Sequence, residues 1–335
     1  MTPYERVVRR INGLTVDKIP NLNIVMMFAA KEIGVSYSEY ATDYRKLVEG
    51  NILCAEKYGI DCVCAVSDPM REAAAFGADV IFPPDGVPTC KDHLLSGKPD
   101  LNRLIDFNVF TSPRTLDRIM AIELFHLKAG DKYPIIGWVE GVLAESCDLR
   151  GINNLMLDLA MDEDYLPELF EIVFRKACEF SKAQIDAGAH IVGIGNAAAS
   201  LIGPMLYEKY ALEYDKKLIA YIKSLGAKTK LHICGNITPL LPLIKTLGAD
   251  ILDIDSMVDF SLAVEIFRNT CTSVNGNLEP VGAFLYGNPI SIYELTRRLV
   301  NKCDANSIIS AGCEIPRDTP LDNMLSMNKA LNLFD

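Results

Sequence analysis

The chain has 335 residues, half of them apolar, and a formal net charge of −11. That length suits one large barrel or two modest domains, and the acidic balance argues against nucleic acid as a partner, because a negative surface repels a phosphate backbone. No secretory leader is visible at the start and no apolar run is long enough to span a bilayer, so the expected setting is the cytoplasm, with no membrane partner.

The ten cysteines are scattered through a long chain. In a reducing setting they read as free thiols, with a minority that bind metal or react. The first helix is signalled by Thr2 as its cap, Pro3 at the first helical position, Glu5 closing a capping box, and Gly13 as its stop. A punctuation pattern then recurs in which an amphipathic helix ends in Gly-Ala and an apolar run follows: Gly77-Ala78, Gly188-Ala189, Gly226-Ala227 and Gly248-Ala249. The glycine supplies a left-handed helix stop, and the run supplies a buried parallel strand. Strands are expected at Asp61–Val66, Pro134–Val139, His190–Gly195, Thr229–Cys234, Ile251–Asp255, Thr272–Gly276 and Ile308–Gly312, with an eighth around Val80 or near the N-terminus. Repeated α-then-β units give a parallel sheet with helices outside.

An open doubly wound sheet usually announces itself by a G-x-G-x-x-G turn after its first strand, and none stands here. The expected fold is therefore α/β, a single (β/α)8 TIM barrel with an N-terminal helical extension. Residues 1–55 form the helical section and 56–335 the barrel, as one domain.

Polar residues gather where these strands end: Asp68, Glu140, Asn196, His232 with Cys234, Asp253 with Asp255, Asn277, and Cys313. In such a barrel those ends form one rim, where active sites are built. Wet loops account for one or two polar residues at such places, but poorly for two cysteines and a histidine. Alternation along a strand puts Lys228, Lys230, His232 and Cys234 on one face and Thr229, Leu231 and Ile233 on the other. Gly235 then turns the chain, Thr238 caps the next helix and Pro239 starts it. Cys313 likewise stands between a strand and a helix, with Thr319 as cap, Pro320 first and Asp322 in the first turn. Two thiolates and one imidazole from His232, Cys234 and Cys313 match a zinc site with three protein ligands and an open position.

Cys62 and Cys64 also share a strand face, but early in their strand, and read as packing; Cys54, Cys90, Cys147, Cys178, Cys271 and Cys303 read as structural. Either Asp253 or Asp255 completes the metal shell or accepts the second ring N–H of His232, and Asp255, nearer the strand end, is favoured. Asp255 and Glu140 are the candidate catalytic carboxylates; Asp68, Asn196 and Asn277 are the candidate substrate contacts.

These motifs resemble the uroporphyrinogen decarboxylase superfamily, in its cobalamin-dependent branch of methylcobamide:coenzyme M methyltransferases. The matching residues are His232-Ile233-Cys234-Gly235-Asn236, Asp250 to Asp255, Val274 to Asn277, Gly312-Cys313-Glu314-Ile315-Pro316 and Gly137 to Gly141. The resemblance implies a (β/α)8 barrel with zinc on His232, Cys234 and Cys313. It also implies methyl transfer between a corrinoid (cobalamin) carried by a separate protein and a small thiol or a methylated small molecule. Zinc lowers the pKa of a bound thiol, which suits a thiolate nucleophile. The alternative is a tetrapyrrole decarboxylase of the uroporphyrinogen type. A polycarboxylate substrate requires clustered arginines at the pocket, and the stretch from Met26 to Gly34 lacks them.

Overall fold

A computed structural model describes residues 1–333. The strands, in chain order, are β1 Val63–Cys64, β2 Val80–Ile81, β3 Thr89–Cys90, β4 Ile135–Glu140, β5 Ile191–Gly195, β6 Lys228–Ile233, β7 Ile251–Ile254 and β8 Ser273–Asn275. Six of them form one parallel sheet in the order β1-β4-β5-β6-β7-β8, while β2 and β3 make a separate antiparallel hairpin.

Two less regular segments close this curled sheet into a barrel. Ile308 and Ala311 bridge in parallel to Asn275 and Leu278, and Asn21 bridges in parallel to Ile309. Asn21 also reaches β1's stretch of chain: its carbonyl accepts from the Asp61 amide at 2.7 Å and its amide donates to the Asp61 carboxylate at 2.8 Å. The ring thus has eight staves, the last formed by 19–25 and tied across by Asn23, whose side-chain oxygen accepts from the Ala311 amide at 2.7 Å.

The expected barrel is present; one open alternative is decided and one boundary is corrected. The eighth stave is the one near the N-terminus and not the one around Val80, because the run after Gly77 meets Pro83-Pro84, which cannot continue a ladder. Residues 1–55 are accordingly not helical alone; the helices Pro3–Ile11, Met27–Glu32, Tyr37–Thr42 and Tyr44–Tyr58 flank a barrel stave.

Local signals hold well elsewhere. Thr2 and Glu5 form the capping box of the first helix, and Gly77, Gly188, Gly226 and Gly248 all adopt positive φ. Two caps fail. The turn after Gly235 is held by the Asn236 side chain on the Thr238 amide, not by the Thr238 hydroxyl. The last helix, Leu321–Ala330, has Pro320 at its cap position, and the Thr319 hydroxyl is buried without a partner.

Inside the barrel, parallel register stacks side chains in level rows. One row runs Trp138, Gly193, Lys230, Ile251; the row above it runs Glu140, Gly195, His232, Asp253, Asn275. The two glycines make room: a Cβ at Gly193 would overlap the Trp138 ring, and one at Gly195 would lie 2.7 Å from Glu140 Oε2. The upper row is the floor of the site.

Candidate metal centre

β6 carries Lys230 and His232 toward the barrel axis and buries Leu231 and Ile233 outward, against the helices. Cys234 follows directly, and Gly235 (φ 84°) takes the left-handed turn that ends the strand. Cys313 arrives from the last stave. The Gly312 amide donates to the Leu278 carbonyl at 2.8 Å. A Cβ on Gly312 would lie 2.6 Å from the Ser256 amide nitrogen and 3.1 Å from Asp255 Cα, so the Cys313 turn rides directly on the backbone behind β7.

Three ligand atoms therefore converge. His232 Nε2 is 3.2 Å from Cys234 Sγ, the two sulfurs are 3.7 Å apart, and Cys313 Sγ is 3.9 Å from Nε2. All three atoms lie within 4.8 Å of one another. Metal–ligand lengths of about 2.3 Å to sulfur and about 2.0–2.1 Å to nitrogen at tetrahedral angles place such atoms roughly 3.6–3.8 Å apart. The donor set and spacing fit one zinc-sized cation with three protein ligands and one position left over. This is the one such His/Cys/carboxylate cluster among the described residues.

The charges are arranged for the same end. Cys234 and Cys313 share a proton through their mutual hydrogen bond, which holds Cys313 well below the usual thiol range and pushes Cys234 up. Burial lowers His232, but hydrogen bonds to Asp253 and Cys313 outweigh it and lift the ring to about 9. Burial raises Asp253, but Lys230 and His232 prevail and hold it near about 2.

Asp253 Oδ2 faces His232 Nδ1 at 3.1 Å, and the same carboxylate is held by Asn275 Nδ2 at 2.7 Å and by Lys230. Nδ1 thus donates to a fixed acceptor, which leaves Nε2 free for a ligand role and fixes the ring plane. The acceptor favoured from sequence was Asp255, and this is corrected. Asp255 accepts instead from the Gly235 amide at 3.0 Å and the Met257 amide at 3.1 Å, bracing the loops that carry Cys234 and Gly312. Position along a strand suggested Asp255; register, which sets Asp253 level with His232, decides for Asp253.

Of the other candidates, Glu140 lies in the row of His232, one strand beyond Gly195. Burial and Glu72 push it up to about 7 against the pull of Arg71. Asp68 and Asn196 are taken up by partners of their own. The Asp68 side chain has no exposed surface and is taken up by Arg114, the Ser67 hydroxyl and the Met70 amide. Asn196 is fully buried, with its amide on Asp215 at 2.9 and 3.0 Å. Asn277 spends its amide on the Asp255 and Val258 carbonyls at 3.0 and 2.6 Å. All three tie loops to the rim, because a βα loop must satisfy its own backbone before it can present anything. The sequence reading missed Arg71, which grips Glu140 at 2.9 Å, and Trp138, whose ring centroid lies 5.9 Å from that of His232. Trp138 stood inside the Gly137 to Gly141 motif without being singled out, and Gly193 and Gly195, small residues inside an otherwise bulky strand, were the further signal.

Residues 2–333 match the family described as Uroporphyrinogen decarboxylase (URO-D). The chain is 27% identical over 333 residues to a methylcobamide:CoM methyltransferase, MtbA, of Methanosarcina mazei, covering 97% of this chain and 96% of the relative. It is 31% identical to a uroporphyrinogen decarboxylase of Prochlorococcus marinus, but over 174 residues, 51% of this chain and 49% of that one. Among solved structures, a methyltransferase from Methanosarcina mazei superposes with a TM-score of 0.88 at 21% identity, covering 98% of each chain.

Proposed function

Because the chain belongs to the uroporphyrinogen decarboxylase family, we propose that it is the methyltransferase variant of that barrel. It moves a methyl group between a corrinoid carried by a separate protein and a small thiol or methylated molecule held at His232, Cys234 and Cys313. The observation that carries this reading is the three-ligand cluster, spaced for one tetrahedral cation and short of a fourth protein ligand. Support comes also from the methylcobamide:CoM methyltransferase relative, matched nearly end to end.

Zinc bound there supplies Lewis acidity, ionising a thiol at neutral pH or polarising the heteroatom that leaves a methyl group. The chain's own residues do the rest. Cys234 and Cys313 supply two negative charges, so a zinc-loaded site with neutral His232 is formally uncharged until substrate joins it. Asp253 holds the His232 ring in the tautomer that presents Nε2. Glu140, level with His232 and gripped by Arg71, stands ready to orient substrate.

The decarboxylase alternative fits the pocket less well. A polycarboxylate needs a cluster of free arginines, and two of the buried arginines are committed, Arg71 to Glu140 and Glu72 and Arg114 to Asp68. The test is methyl transfer from methylcobalamin to a thiol by zinc-loaded and metal-free protein. The zinc form turns over and the metal-free form does not; equal rates overturn the reading.

A further inference from the structure

A lysine buried inside a barrel is costly unless something there needs its charge. Lys230 is 1% exposed and lies one row below His232, with its ammonium 5.4 Å from the Trp138 ring centroid. The wall is shaped around that pair: a Cβ at Gly193 would overlap the Trp138 ring. Lys230 donates to Asp253 Oδ2, the same oxygen that faces His232 Nδ1 at 3.1 Å, while Asp253 Oδ1 accepts from Asn275 Nδ2 at 2.7 Å. One carboxylate oxygen is thus shared between an ammonium and the ring that presents Nε2 to the metal centre.

The surrounding groups do not take over either charge. Cys62 and Cys64 lie within reach of the Lys230 field, but burial pushes both thiols up, Cys64 to about 11, so they stay protonated. Asp61, before β1, pairs with Arg6 and Lys18. Glu140 pairs with Arg71, and Asp255 accepts from the Gly235 and Met257 amides. Among the described residues, Lys230 is the one lysine or arginine paired with Asp253.

We propose that Lys230 is a positioning residue for the metal centre: acting through Asp253, it supplies the countercharge that lets a thiolate form there. The inference rests on the methyl-transfer reading above and deepens it. A divalent cation on two thiolates and a neutral imidazole leaves the centre formally uncharged, and Lys230 cancels Asp253. A thiol that binds through sulfur and releases its proton to solvent then gives the centre a net negative charge. Without Lys230, that charge forms one imidazole away from an unbalanced buried carboxylate, and like charges repel strongly where water is excluded. Asp253 alone fixes the ring; Asp253 with Lys230 fixes it without adding negative charge to a centre that must become anionic.

The test is the pH at which a thiol ionises on the metal, which a lysine that merely fills the core leaves untouched. Protein loaded with cobalt(II) in place of zinc is titrated across pH with 2-mercaptoethanol, and the growth of the sulfur-to-cobalt charge-transfer band reads the bound thiolate. Lys230→Gln keeps a donor to Asp253 without the charge. It moves the midpoint up by about one pH unit, so thiol binding at pH 7 weakens about tenfold. Lys230→Met shifts it the same way and carries the test if Lys230→Gln fails to fold. Lys230→Met combined with Asp253→Asn removes both charges and brings the midpoint back toward wild type, although metal is held more weakly. An unchanged midpoint on removing the charge, or one that fails to return in the double variant, overturns the inference and leaves methyl transfer standing. A wild-type protein that gains no such band at any pH overturns the thiol reading as well.

Discussion

At the scale of single residues, the candidate metal ligands were legible and their supports were not. His232, Cys234 and Cys313 stand out because imidazole and thiol at two strand ends are hard to explain as wet loops, and the structure brings their ligand atoms together. The choice between Asp253 and Asp255 needed register, which a lone sequence does not carry. Asp253→Asn removes the charged acceptor of the His232 Nδ1 proton, and zinc affinity falls about 10–100-fold, the usual cost of losing such an outer partner. Asp255→Ala costs less, because Asp255 braces loops and does not touch the ring. Competition with a chromophoric chelator measures both, and a larger loss for Asp255→Ala contradicts the assignment. Asp215 gives a pH signature. Burial pushes its carboxyl up to about 7 despite hydrogen bonds from Tyr207 and Asn196. Between the ordinary carboxylate range and about pH 7, the folded chain keeps a proton that the unfolded chain has released. Stability from this group is therefore present at low pH and falls as pH rises through that window, by up to about 1.4 kcal/mol per unit. Urea unfolding at pH 5 and pH 8 should show wild type losing more stability than Asp215→Asn; identical pH dependence of the two refutes it.

At the scale of elements, helix stops were the most readable signals, since Gly-Ala after an amphipathic run needs only local chemistry. Strands were readable where they are continuous apolar runs, as in β5. The stave at 19–25 was only half visible. It pairs through single bridges and through the side chains of Asn21 and Asn23, so no alternation or long apolar run announces it. The hairpin of β2 and β3 borrowed the helix-stop signal of Gly77 without belonging to the barrel. Gly312 shows how an element aims a ligand. Gly312→Ala places a methyl group against the Ser256 amide and Asp255, backbone that cannot swing away. The Cys313 turn must shift, so zinc affinity falls at least about tenfold, while stability drops by only about 1–3 kcal/mol. Metal content and thermal unfolding of the same preparation separate the two effects. Full zinc occupancy with unchanged affinity contradicts this account of the turn.

At the scale of the whole molecule, eight staves bring to one rim three candidate ligands separated by up to 81 positions, from His232 to Cys313. No helix among the described residues is long and apolar enough to cross a membrane. What the sequence could not convey at this scale is which acids are balanced, because Arg71, Arg114 and Lys230 lie far in the chain from Glu140, Asp68 and Asp253 and find them only through barrel closure. The central claim is that His232, Cys234 and Cys313 hold one zinc with a position kept for substrate. It is tested most directly by zinc-edge X-ray absorption of the purified protein before and after a thiol substrate is added. The account predicts two sulfur ligands at about 2.3 Å and one imidazole nitrogen at about 2.0–2.1 Å, with a third sulfur joining when the thiol binds. A zinc shell of four protein ligands that does not change on adding thiol, or one that survives Cys313→Ala intact, would contradict it.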